Sequence, residues 1–175
     1  IMKNLSKTIK TKIVKISLLV VLILSCFTLF GQAVINPAAS DNDVEIGVVE
    51  HLDEFLPDGI SLINEQGQQV WLKDVIDKPT VINFVYYRCP GICSPLMEAV
   101  AGVMDKSDLV PGVDYQVLTI SFDPTETIDL GIRKKTNFLN LMSNKVEEAK
   151  NGWLFFTSDS ISIAKATNAT GFKYK

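Results

Sequence analysis

The stretch TVINFVYYRCPGICSPLM, Thr80–Met97, decides how the chain is read. Thr80–Tyr87 is an uninterrupted β-branched and aromatic run of the kind found in a strand buried on both faces. Cys89 and Cys93 follow at once, and Ser94–Met104 then carries Leu96, Met97, Val100, Ala101 and Met104 at helical spacing. The cysteines therefore fall in a strand-to-helix turn. Cys93 sits near the helix amino terminus, where free backbone N–H groups and the positive end of the helix dipole favour thiolate over thiol. Pro90 and Pro95 stiffen the turn, and Gly91 lets the backbone bend between the sulfurs.

Outward from this turn the pattern alternates. Upstream, Ile60–Leu72 has two short apolar runs around Asn64-Glu65-Gln66-Gly67 and reads as a β-hairpin. Downstream, Asp114–Phe122 reads as a strand and Thr127–Met142 as a helix that turns Leu130, Phe138, Leu139 and Leu141 to the core. Gly152–Thr157 supplies a further strand, and Ser158 or Asp159 caps a last helix ending at Gly171. Trp71, Trp153, Phe155 and Phe156 are expected in the core, and Arg133-Lys134-Lys135 on a solvated helix face. Strands alternating with single helices imply an α/β domain with a mostly parallel sheet covered on both faces. In such sheets reactive groups gather at the carboxyl ends of strands, which is where Cys89 and Cys93 lie.

The ends of the chain carry a different message. Lys3, Lys7, Lys10, Lys12 and Lys15 precede the apolar run Ile16–Phe30, and Gly31-Gln32-Ala33 is a small-x-small ending. These are the parts of an export signal, expected to be cleaved near Ala33, retained to Ile35 as a membrane anchor, or lipidated at Cys26. Residues 36–56, rich in Asp and Glu, read as a linker and irregular segment, and residues 57–175 as the folded domain. With the five leading lysines set aside, 12 basic residues face 20 acidic ones, which argues against a nucleic-acid surface.

The residues alone leave the cysteine pair open. A purely structural disulfide four residues apart closes a tiny loop and restricts the unfolded chain little. A dithiol redox couple is chemically sound, although the usual oxidoreductase spacing has two intervening residues rather than three. Structural zinc needs four ligands, and there is no second cysteine pair. Thiolates are also soft ligands that suit Cu(I).

KPTVINFVYYRCPGICSPLM, Lys78–Met97, resembles the signature of the Sco/SenC family. ISFDPTET, Ile120–Thr127, and GWLFFTSDSISIAKATNATGFKY, Gly152–Tyr174, resemble further stretches of it. The resemblance implies a thioredoxin-like domain with an N-terminal β-hairpin. It implies a copper chaperone for cytochrome c oxidase assembly rather than an enzyme, with Cys89 and Cys93 as thiolate ligands and Asp123 as an acid near the site. The family's third ligand is a histidine downstream of the Gly171–Tyr174 stretch, so it is expected beyond Lys175, and the C-terminal part of the fold with it. His51, the one histidine present, matches no motif position and reads as a solvated loop residue. The implied cargo is copper, with Cu(I) favoured by two sulfurs. The implied partners are the copper-bearing oxidase subunit, another copper chaperone and, through the leader, a membrane. The implied location is the cell envelope, at the periplasmic face of the inner membrane, anchored or secreted. The rival function is a thiol-disulfide oxidoreductase that keeps client cysteines reduced.

Overall fold

The structure, a computed structural model, describes residues 46–174. All of them belong to one compact unit spanning residues 44–175. Strand β1 (Gly47–Val48) precedes the hairpin strands β2 (Ser61–Ile63) and β3 (Gln69–Trp71), and a single helical turn, α1 (Leu72–Val75), follows. Then come β4 (Thr80–Val85), α2 (Cys93–Lys106), β5 (Gln116–Ser121), α3 (Ile128–Leu139), α4 (Val146–Gly152), β6 (Trp153–Phe156), α5 (Ser160–Ala169) and β7 (Phe172–Lys173).

The centre is a parallel three-stranded sheet in the order β4-β5-β6. Its middle strand is buried at all six positions, as its β-branched composition requires of a strand covered on both faces. Alternation along β5 divides the core. Val117 joins Val85, Tyr87, Met97, Phe138, Trp153 and Phe155 on the side of α2 and α3, while Leu118 and Ile120 join Leu62, Leu72, Phe84 and Ala166 beneath the hairpin and α5. The hairpin turns at Gly67, whose φ of 73° lies in the left-handed region that glycine adopts without a Cβ clash. It docks on β6 through a two-way backbone exchange between Ile63 and Thr157.

Several expectations hold. The α/β architecture, the hairpin, the three parallel strands and the strand-to-helix position of the cysteines are as read from the sequence. Asp159 caps α5 by accepting from the N–H groups of Ile161 and Ser162.

Others are corrected. Leu141 is 60% exposed because α3 ends at Leu139, so the helical phase is lost and Met142 enters the core instead. Trp71 is 47% exposed on the outer face of the hairpin rather than in the core. Lys135 is buried: its ammonium donates to both Glu65 carboxylate oxygens, at 2.8 and 3.0 Å, and to Lys150 O, so it is no part of a solvated face. A helix that the periodicity did not suggest, α4, fills the connection before β6. Residues 47–48, within the stretch expected to be linker, form β1 and pair antiparallel with β7. The leader and Cys26 lie outside the described residues. Among the described residues no helix is long and apolar enough to cross a membrane.

Candidate metal and thiol site

The site is built at the carboxyl end of β4, and two neighbours hold it. Tyr87 is buried two residues before Cys89. Its hydroxyl donates to Phe156 O at 2.7 Å and accepts from Phe156 N–H at 3.2 Å, which ties the start of the cysteine loop across the sheet to β6. Burial pushes the Tyr87 phenol up, so it stays a neutral donor. Room for its ring comes from Gly131 on α3, where any Cβ would lie 3.0 Å from the aromatic carbons.

The second neighbour is Glu126. Its Oε2 accepts from Tyr87 N–H at 2.7 Å and from the Ser121 hydroxyl at 2.6 Å, and its Oε1 accepts from Arg88 N–H at 2.7 Å. Cys89 N–H closes the turn on Tyr86 O at 3.3 Å. Every amide from Tyr87 to Cys89 therefore has a partner.

Both thiols are free and partly exposed. They are not equivalent. A hydrogen bond from the Cys93 thiol, joined by the backbone N–H groups of Cys93 and Gly91, holds the Cys89 thiol below the usual range. Burial, followed by the hydrogen bond to Cys89, pushes the Cys93 thiol up. The sequence points to Cys93, at the helix start, as the thiol favoured toward thiolate. In the fold that end of α2 aims its first N–H at Cys89 instead, and Cys93 itself packs against the core.

An open groove of about 350 Å³ runs beside Cys89, lined by Tyr86, Arg88, Phe122 and Asp123 among others. Tyr86 and Phe122 stand with ring centroids 4.1 Å apart on its wall, and Tyr174 extends the cluster at 4.8 Å from Phe122. Asp123 shapes the turn there: its Oδ1 accepts from the hydroxyl and the N–H of Thr125 at 2.7 and 2.8 Å, which holds its carboxyl below the usual range. The acid that touches the cysteine loop is Glu126, which the sequence reading passed over. A signal was available in the DPTE turn, where Glu126 N–H bonds Asp123 O at 3.1 Å.

His51 faces elsewhere, with Nδ1 3.2 Å from Ala169 O at the end of α5. Among the described residues no cluster of three or more His, Cys, Asp or Glu side chains could hold a metal ion. What the turn offers a metal is two sulfurs on one short loop, and such a pair would suit Cu(I), which accepts two-coordinate thiolate ligation.

Residues 57–129 match the SCO1/SenC family model, and both cysteines, Asp123 and Glu126 fall inside the match. Over this segment the chain is similar to the SCO1/SenC family. The chain is 36% identical over 64 residues to the SCO1 homolog 1 of Arabidopsis thaliana mitochondria, a match covering 37% of this chain and 19% of that protein. The chain thus spans about a fifth of the length of the curated relative it matches. Its fold is similar to Arabidopsis thaliana ScoI with copper bound (TM-score 0.52, 23% identity, 67% of this chain and 66% of that one). It is similar also to a SCO1/SenC family lipoprotein from Bacillus anthracis (TM-score 0.51, 20% identity, 68% and 66%). The SCO1/SenC match supports the thioredoxin-like reading of the parallel sheet and its flanking helices.

Proposed function

We propose that the chain is a copper-binding assembly factor that delivers copper to the copper site of cytochrome c oxidase by thiolate exchange. The observation that carries this reading is the pair of free, partly exposed thiols of Cys89 and Cys93 on one strand-to-helix turn, with Cys89 on the wall of an open groove, within a segment that matches the SCO1/SenC model. Copper is the cargo. An incoming client thiolate approaches through the groove and displaces the more exposed Cys89 sulfur first, and a second displaces Cys93, so the ion passes between sulfurs without being released. The resemblance implies a histidine beyond Lys175 as third donor. Asp123 supports the site by shaping the groove rim. The location that fits is the periplasmic face of the inner membrane, with the leader as signal or anchor, and the bacterial lipoprotein among the fold neighbours is in keeping with it.

The inequality of the two thiols favours one second reading, a thiol-disulfide oxidoreductase in which Cys89 attacks a client disulfide and Cys93 resolves the mixed disulfide.

One experiment addresses both. The purified chain, with Cys26→Ser so that two thiols remain, is titrated with Cu(I) against a chromophoric chelator under reducing conditions. About one Cu(I) is expected, abolished by Cys89→Ala or Cys93→Ala and unchanged by His51→Ala. Absence of tight binding to the parent chain, with a stable mixed disulfide trapped on Cys89 in the Cys93→Ala variant, would move the assignment to the oxidoreductase.

A further inference from the structure

Glu126 is 5% exposed, and among the described residues no lysine or arginine forms an ion pair with it. A buried carboxylate without a cation is costly unless hydrogen bonds replace the lost water. Here three donors do so, and two of them are the consecutive amides of Tyr87 and Arg88. Consecutive amides point the same way only when the backbone turns sharply, so a two-oxygen acceptor beneath them selects that turn. The selected turn carries Cys89, the next residue, whose N–H closes on Tyr86 O at 3.3 Å, toward the start of α2 at Cys93. The carboxylate's position is set by the fold and not by the loop. Glu126 leaves the DPTE turn, its carboxylate is braced by the Ser121 hydroxyl from β5, and the cysteine loop is then laid onto it.

We infer that Glu126 is a positioning residue that fixes the Cys89–Cys93 sulfur geometry by clamping the Tyr87 and Arg88 amides. The inference rests on the reading of the two cysteines as the working pair, yet it is tested without copper. Asp123, which bonds only within its own turn, has no such role in the sulfur geometry.

The consequence is an elevated effective concentration of one sulfur for the other. Oxidised glutathione reports it. Two thiol S–H bonds are lost, one S–S bond forms between Cys89 and Cys93, and glutathione disulfide takes both electrons and both protons to leave as two molecules of glutathione. In the Cys26→Ser chain, Glu126→Gln keeps the size of the side chain but turns an NH₂ toward donors, so the clamp loses one arm. The equilibrium constant for disulfide formation against glutathione is expected to fall about tenfold, the lower end of what loss of an outer-shell partner costs at ligand sites. Ser121→Ala removes the brace and leaves both loop amides held, so a fall of roughly twofold to threefold in the same direction is expected. Near-UV circular dichroism confirms that each variant is folded.

An equilibrium constant for folded Glu126→Gln within about twofold of the parent overturns the inference, since that is below the tenfold change expected of an outer-shell partner. Should Glu126→Gln fail to fold, an unchanged constant for Ser121→Ala does the same. Failure of the parent chain to bind Cu(I) would remove the copper reading alone, because the glutathione equilibrium involves no metal.

Discussion

Strand β4 has two very different boundaries. Its carboxyl end is held by polar contacts that arrive from far along the chain: Glu126 on the Tyr87 and Arg88 amides, and Phe156 on the Tyr87 hydroxyl. Its free edge is the opposite. Among the described residues β4 pairs with β5 alone, and beside it a groove of about 530 Å³ opens between β4 and α2. Val81, Leu96, Val103 and Leu109, all on that groove, are 53%, 45%, 67% and 55% exposed. The contrast separates two jobs. Polar pins give a loop one geometry because each donor accepts few arrangements, whereas apolar surface is non-directional and receives whatever covers it. A site that must hold two sulfurs in register therefore sits at the pinned end.

The pinned region should be the more sensitive to single substitutions. Lys135→Ala leaves the Glu65 carboxylate half-enclosed without its cation, and Glu65 also accepts the Phe155 N–H at 3.0 Å. A loss of about 3 kcal/mol is expected, at the lower end for breaking a buried pair because Glu65 retains some access to water. Urea unfolding measures it, and a loss below about 1 kcal/mol would place the pair among ordinary surface bridges.

Tyr87→Phe tests the carboxyl end of β4 itself with a smaller change. It keeps the ring against Gly131 and strands the Phe156 backbone groups, at a cost of about 1–3 kcal/mol by the same denaturant titration. The contrast predicts a second effect, faster alkylation of Cys93 as the loop loosens. Unchanged protection of Cys93 would mean that the loop does not depend on this anchor.

The free edge should respond least in stability and most in behaviour. Val103→Lys puts a charge on an open apolar rim, and its effect on unfolding is expected to stay within about 0.5 kcal/mol. An uncovered strand edge with an apolar flank is adhesive, so the same variant should lower concentration-dependent light scattering. Destabilisation well beyond that bound would show that the groove is packed rather than open.

What the sequence made legible follows the range of the forces. Strand β4, the hairpin turn at Gly67, the Asp159 cap and the cysteine turn are specified by neighbours a few residues apart, and all were readable. Helix α4 was not, because the turn that leads into it is held by Asp105 on α2, which accepts from the N–H groups of Ser143, Asn144 and Lys145. A partner some 40 residues away leaves no local trace. Lys135 looked like one of three solvated charges for the same reason, since its partner Glu65 lies 70 residues upstream. At the site the two cysteines announce themselves by spacing, while Glu126 is hidden by the more visible Asp123-Pro124 beside it. The β1–β7 pair has two residues on each side, too few for any periodicity.

The opposite burial of the two tryptophans gives the molecule a built-in optical gauge. Trp153 is sealed from water, its indole N–H bonded to the Thr119 hydroxyl at 2.8 Å and its ring 5.3 Å from that of Phe155, itself stacked on Tyr87. Trp71 stands on the outer face of the hairpin. Trp153 is therefore expected to emit at the blue end of the indole range and to be shielded from acrylamide, and Trp71 to emit to the red and be quenched. A change in the core beneath the cysteines therefore registers in one band and a change in the hairpin in the other, with no label added.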